Sequence, residues 1–255
     1  MRDFAVNLAT NLLAGVLIFS GGLFWPQIPK SRKKFFLRKF FGTGALGKDF
    51  VIAYGALKNS RHREPNVGMF WYDKIFHDGL LKPIVGPREY MVSNCEVRSA
   101  AYLINALSTY RDQAVPVEDD VAAFQRLDRT IVALGSPSSN EISRLVLGEP
   151  ENEFLEFVQE GFDLVYIRDK KNRKEFPESH SPMPKDYGLI VKIPNSRFKG
   201  RLFFVCAGLG EWGTSGASWY LSNKWNQLRK EFGDAFGIIV EVNIGSDESA
   251  RRVFP

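Results

Sequence analysis

Residues 4–25, FAVNLATNLLAGVLIFSGGLFW, are 22 consecutive positions without a charged side chain. At about 1.5 Å of rise per residue, a helix of that length is roughly 33 Å long. That is enough to cross a hydrocarbon core of about 30 Å. Lys30, Arg32, Lys33, Lys34, Arg38 and Lys39 follow almost at once, and only Arg2 and Asp3 carry side-chain charge before the run. An excess of Lys and Arg marks the cytoplasmic flank, so the amino terminus is expected outside the cell membrane and the remainder in the cytoplasm. Trp25 suits the lipid–water interface, and Pro26 and Pro29 end a helix there. A cleaved signal peptide would carry a basic n-region, a shorter apolar core and an A-x-A-like site, none of which fits.

Asn7, Asn11 and Gly15, continued by Ile18 and Gly22, share one face of that helix. Polar and small residues along one face favour helix association in lipid, so a homo-oligomer through the anchor is expected. The chain therefore divides into an anchor (1–29), a basic juxtamembrane linker (30–48) with a glycine-bearing hinge at 42–47, and a cytoplasmic body (49–255). Lipid is the partner expected for 4–25 and for the basic segment 30–39.

A sequence pI near 9.1 invites a nucleic-acid reading, but the charge is unevenly placed. Of 34 basic and 29 acidic residues, eight basic and one acidic precede residue 49, which leaves the body 26 against 28, a net of −2. The positive charge belongs beside anionic lipid headgroups, and no nucleic-acid footprint remains in the body. Cys95 and Cys206 are the only cysteines and form no C-x-x-C. His62, His77 and His180 stand singly without ligand spacing, so no metal is expected.

Within the body, apolar strand-like runs alternate with helical patterns: strands at 49–53, 129–134, 187–193, 201–207 and 235–242, helices at 96–110, 141–147 and 215–232. Such alternation predicts an α/β fold, a Rossmann-like, mostly parallel sheet with helices on both faces. The piece 162–193 is expected to add antiparallel edge strands. The unpatterned stretch 58–92 is long for a connection, as lids and partner surfaces often are. Its aromatic part, 69–76, is a candidate docking segment for a scaffold.

In open α/β sheets ligands bind beyond the carboxyl ends of the strands. Three such exits carry small or polar residues: Tyr54-Gly55, 135–140 and 208–215. In GSPSSNE, Gly135 frees the turn and Ser138 with Glu141 has the spacing of a capping box. Ser136, Ser138 and Asn140 are then candidate ligand contacts at a helix N-terminus. Gly208, Gly210 and Gly213 match G-x-G-x-x-G between a strand and a helix, although Trp212 is bulky for a pyrophosphate turn and Glu241 lies late for a ribose-binding acid. Thr214 and Ser215 are candidate hydroxyl donors there, and Asp247 a candidate ribose contact or base after the last strand. Cys95 stands at a predicted helix N-terminus, where a thiol pKa can fall.

Three words, G-[GS]-P-x-S-N at 135–140, D-Y-G-L-I-V at 186–191 and A-G-x-G-x-W-G-T at 207–214, make the chain resemble a group of uncharacterised bacterial membrane-tethered Rossmann-like proteins. The resemblance covers about residues 130–220 and implies no activity for any residue. The layout of an amino-terminal span before a Rossmann-like body also looks like membrane-bound nucleotide sensors of bacterial defence systems.

The expected function is that of a membrane-anchored sensor or effector domain binding a nucleotide-like or anionic small molecule, with no nucleic-acid partner. A nucleotide is the candidate ligand; no cofactor is identified. The alternatives are a hydrolase or transferase acting on a nucleotide or glycosidic bond through Asp247, Glu211 or Cys95, and a membrane-bound interaction scaffold.

Overall fold

The computed structural model describes residues 27–55, 92–160, 164–177 and 185–255. The apolar run 4–25 and the stretch 56–91, with its aromatic segment, lie outside the described residues. Among those described, no helix is long and apolar enough to cross a membrane.

The chain begins with helix α1 (Gln27–Phe41), a 3-10 turn (Thr43–Leu46), strand β1 (Phe50–Tyr54) and helix α2 (Asn94–Ser108). Next come β2 (Val117–Asp119), α3 (Asp120–Phe124), β3 (Thr130–Leu134) and α4 (Glu141–Gly148). A group of three strands follows: β4 (Leu155–Glu160), β5 (Leu164–Asp169) and β6 (Glu175–Phe176). The chain closes with β7 (Lys185–Pro194), β8 (Leu202–Gly208), α5 (Glu211–Glu231), β9 (Phe236–Asn243) and β10 (Ser246–Phe254).

Seven strands form one sheet in the order β10-β9-β7-β8-β3-β1-β2. The pairs β2–β1, β1–β3 and β3–β8 are parallel, whereas β8–β7, β7–β9 and β9–β10 are antiparallel. β1, β2, β3, β8 and β9 thus point one way, and β7 and β10 point back. The sheet is mixed α/β and mostly parallel, as expected. Two details differ. The piece 162–193 does not supply edge strands: β7 lies between β8 and β9 inside the sheet, and β4-β5-β6 form a separate antiparallel sheet. The tail after 243 is a strand, turned back on β9 at Gly245, whose φ of 94° suits glycine.

Side chains alternate across the large sheet and bury both faces. Phe50, Ile52, Val132, Leu134, Phe204 and Ile238 meet α1, α2 and α5 on one side. Val51, Ala53, Ile131, Ala133, Val205 and Ile239 meet α4 and the small sheet on the other. Strands covered on both faces carry unbroken apolar runs, which is why FVIAY and TIVAL are so legible.

The segment 30–48 is no linker. Leu37, Phe40 and Phe41 of α1 are at most 1% exposed, and Phe41 sits 5.2 Å from the Phe204 ring. Burying each such side chain contributes about 1.5–3 kcal/mol. The expected hinge at 42–47 is also fixed, because Arg111, just beyond the end of α2, donates to the carbonyls of Ala45 and Gly47 at 2.6 and 2.8 Å. The packed body therefore starts within the basic segment, whose aromatic residues repeat at helical spacing among its cations.

Candidate ligand site at the strand ends

β1 leads through α2 to β2 on one side, and β3 lies on its other side, so the strand order reverses between β1 and β3. In open α/β sheets such a reversal marks where ligands bind, beyond the carboxyl ends of the two strands. Gly55 and Gly135 stand at those ends, and Glu96 of α2 reaches between them. A Cβ on Gly135 would lie 2.7 Å from Glu96 Oε1, and one on Gly55 would lie 2.3 Å from the Ser139 carbonyl oxygen. Gly55 admits only glycine because the clash is with backbone, whereas Gly135 meets side-chain ends and is held to glycine by its φ of 103°.

Glu96 is 3% exposed, and among the described residues its Oε2 has no hydrogen-bond partner. Burial pushes its pKa up to about 8, against the pull of the Gly55 and Ser93 amides, and Asp120 adds to the rise. Ser93 and Glu96 thus hold the S-x-x-E spacing of a capping box, with the serine hydroxyl turned 3.0 Å from Cys95 Sγ instead. Helical periodicity favours Val97 as a core residue, yet Val97 is 57% exposed and Glu96 is the buried one. The box spacing at 93–96 was the available signal for this residue. Beside it, burial and then Asp119, Glu96 and Asp120 raise the Tyr54 pKa.

The capping box expected at Ser138 and Glu141 is not formed. Asn140 caps α4 instead, its Oδ1 accepting from the amides of Ile142 and Ser143 at 2.9 and 3.0 Å. Its Nδ2 donates to the carbonyls of Ala53 and Leu134, tying the ends of β1 and β3 together. Asp120 accepts the remaining amide hydrogen, from Glu141, at 2.8 Å. The start of α4 is therefore already filled. Ser136 and Ser138 share a hydroxyl–hydroxyl bond of 2.7 Å, and Ser138 is exposed.

The second loop is filled as well. α5 begins at Glu211, earlier than the sequence pattern indicates, so Trp212, Gly213 and Thr214 lie within its first turn. Asp186 of β7 accepts the amide hydrogens of Gly210 and Gly213 at 3.0 and 2.7 Å. Burial raises its pKa, and these bonds with those of Tyr187 and Trp212 hold back part of the rise. Thr214 Oγ1 accepts from the Gly208 amide at 2.9 Å. The D-Y-G and G-x-W-G-T words thus touch one another, and a Cβ on Gly188 would lie 2.1 Å from the Gly213 carbonyl oxygen.

Ser215 and Asp247 belong to a third arrangement. Asp247 is 2% exposed and lies in β10, not in a terminal turn. It accepts from Arg98 Nε and Tyr102 Oη, both at 3.0 Å, and from the Ser215 hydroxyl. Arg98 also bonds Ser215 at 3.0 Å and lies 4.3 Å above the Trp212 ring. Burial and the bond to Asp247 raise the Tyr102 pKa to about 12. Cys95 is 7% exposed, and burial pushes its thiol up to about 11, the reverse of the fall expected at a helix N-terminus.

The ten candidate residues thus line one edge of the sheet, in two groups. Gly55 and Gly135 lie against Glu96, with Ser136, Ser138 and Asn140 in the turn that follows β3. Gly208, Gly210, Thr214, Ser215 and Asp247 gather at the start of α5. Helix α2 serves both, through Glu96 on one side and Arg98 and Tyr102 on the other. Sequence reasoning missed Glu96, Arg98, Tyr102 and Asp186. Among the described residues no three His, Cys, Asp or Glu side chains gather closely enough to hold a metal ion. Compared with protein-family models, curated proteins and solved structures, the chain matches none.

Proposed function

We propose that the chain is a membrane-anchored, cytoplasm-facing domain that binds a small nucleoside-like molecule beyond the carboxyl ends of β1 and β3. The observation that supports this reading is Glu96, a buried carboxyl with one oxygen unpartnered among the described residues, at the point where strand order reverses. Buried polar groups are rarely left unbonded, and one so placed calls for a ligand or water. The anionic part of the expected ligand finds little support. Asp120 and Asn140 occupy the start of α4, and Asp186 occupies the start of α5. Recognition would fall to hydroxyl and carboxyl groups, namely Ser136, Ser138 and Glu96, meeting sugar hydroxyls or ring nitrogens.

Thermal melts of the detergent-solubilised full chain with adenosine, NAD, ATP and inorganic phosphate test the reading. A rise with the nucleoside-bearing compounds, absent with phosphate and lost in Glu96→Gln, supports it. No rise with any nucleoside, or one that survives Glu96→Gln unchanged, overturns it.

A second reading, cleavage of a glycosidic bond, is favoured by the same residue. A carboxyl whose pKa is near 8 retains its proton at neutral pH and can deliver it to a leaving base. Base release from NAD or a nucleoside by the full chain, abolished in Glu96→Gln, would establish it. The scaffold alternative rests on 69–76, outside the described residues.

A further inference from the structure

Helix α1 has two dissimilar faces. Leu37, Phe40 and Phe41 are built into the core, while Phe35 on the far side is 63% exposed. Arg32, Arg38 and Lys39, all exposed, surround Phe35 on that outer face at helical spacing, with exposed Lys33 nearby. Among the described residues no carboxylate pairs with any of these four; Lys34 alone reaches one, Asp112, at 3.9 Å. α5 adds to the patch, because Arg229 lies 4.0 Å above the Phe36 ring and Lys230 is exposed next to it.

We infer that this outer face of α1 lies on an anionic lipid surface, with Phe35 inserted among the headgroups and the surrounding cations on their phosphates. An exposed aromatic ringed by Lys and Arg with no carboxylate partner among the described residues matches what such an interface needs, apolar insertion plus electrostatic attraction. The place along the chain agrees, since the uncharged run ends at Trp25 and α1 starts at Gln27. The inference rests on the membrane part of the proposed function and not on its ligand. Its consequence is mechanical. Because the inner face of the same helix is part of the core, the body is held against the bilayer in one orientation instead of swinging on a linker.

The test places a nitroxide at Phe35→Cys in the full chain; Cys95 and Cys206 are buried and compete little for the label. The protein is reconstituted into phosphatidylcholine bilayers with and without phosphatidylserine. The label should contact oxygen in the lipid phase only in the anionic bilayer. It should return to water at about 1 M salt, where screening acts within about 3 Å. The triple variant Arg32→Glu, Arg38→Glu and Lys39→Glu should weaken the anionic preference by about a hundredfold, at roughly fivefold for each lost cation. A label that stays aqueous in both bilayers overturns the inference, as does one buried only when RNA or a protein partner is added. If the chain enters neither bilayer, the anchor reading falls. Salt-sensitive flotation with phosphatidylserine vesicles then still supports the α1 face, and failure to float overturns it.

Discussion

The carboxylate of Asp186 accepts the amide hydrogens of Gly210 and Gly213, at 3.0 and 2.7 Å, and so holds an internal anion where α5 begins. A helix N-terminus attracts negative charge through its free N–H groups and dipole. Here that attraction is spent within the fold, on a side chain 24 residues earlier than Gly210. The loop therefore has the sequence of a phosphate cradle and the chemistry of a closed cap.

Removing the carboxylate should expose the difference. Asp186→Ala leaves the loop amides without an acceptor and should cost about 1–3 kcal/mol per group left buried and unbonded. It also opens the anion site. Inorganic sulfate or phosphate should raise the melting temperature of Asp186→Ala and leave the parent protein unchanged. Equal responses from both proteins would mean that the loop binds anions with Asp186 in place.

Asn140 does two tasks with one amide. Its oxygen caps α4, and its nitrogen joins the carbonyls of Ala53 and Leu134. Asn140→Asp keeps the cap but presents a carboxylate to two carbonyl oxygens; Asn140→Ala loses both functions. Each should lower stability by about 2–4 kcal/mol, from the cap and from unbonded buried groups. The Asp variant should lose more at pH 8 than at pH 5, because its charge appears on ionisation. Denaturant titrations at the two pH values separate the cases. An Asp variant as stable as the parent at pH 8 would show that the strand-joining bonds contribute nothing.

The contrast between what was legible and what was not follows from how each feature is encoded. β1 and β3 stand out because both faces are covered and their apolar runs are unbroken. The exits after β1, β3 and β8 follow from local turn chemistry at Gly55, Gly135 and Gly208. The partners that fill those exits are remote: Asp186 reaches Gly213 from 27 positions away and Asp247 meets Arg98 across 149. Spacing rules are local and say nothing of such pairs. α1 was obscured by its charge, since a run of cations hides three core residues on one face. Glu96 was obscured by polarity, because burial of a carboxyl beside an exposed Val97 inverts the periodic signal.

The raised pKa of Glu96 has a consequence for stability. In the folded protein the group keeps its proton up to about pH 8, whereas unfolded it releases it near 4.5. Between those values the native state binds the extra proton, so stability from this group falls as pH rises, by up to about 1.4 kcal/mol per unit. Glu96→Gln removes the titration. Its melting temperature should be flatter than the parent's between pH 5 and about 8, and higher at the upper end. A parent curve with the same slope as Glu96→Gln would place the Glu96 titration outside this window.

Lys192 carries the opposite dependence. Its ammonium is 2% exposed and lies 4.8 Å above the Phe40 ring, with Phe204 and Phe236 each at 6.0 Å and the Gly233 carbonyl at 3.4 Å. Burial lowers its pKa from 10.5 to about 8, while Asp234 opposes the fall. Above about pH 8 the native lysine is neutral and the unfolded one still charged, so this group's contribution grows more favourable as pH rises. The buried thiols titrate above their ordinary 9.0 and oppose the gain beyond that point, which leaves pH 8 to 9 as the window. Lys192→Met fills the same cage without a charge and should be as stable as the parent or up to about 3 kcal/mol more stable at pH 7, since buried charge is costly. The upturn between pH 8 and 9 should vanish with it. Because Phe40 belongs to α1, hydrogen exchange along that helix should slow in Lys192→Met at pH 7. Faster exchange there would mean that the charged lysine holds α1 through its aromatic faces more strongly than an apolar side chain does.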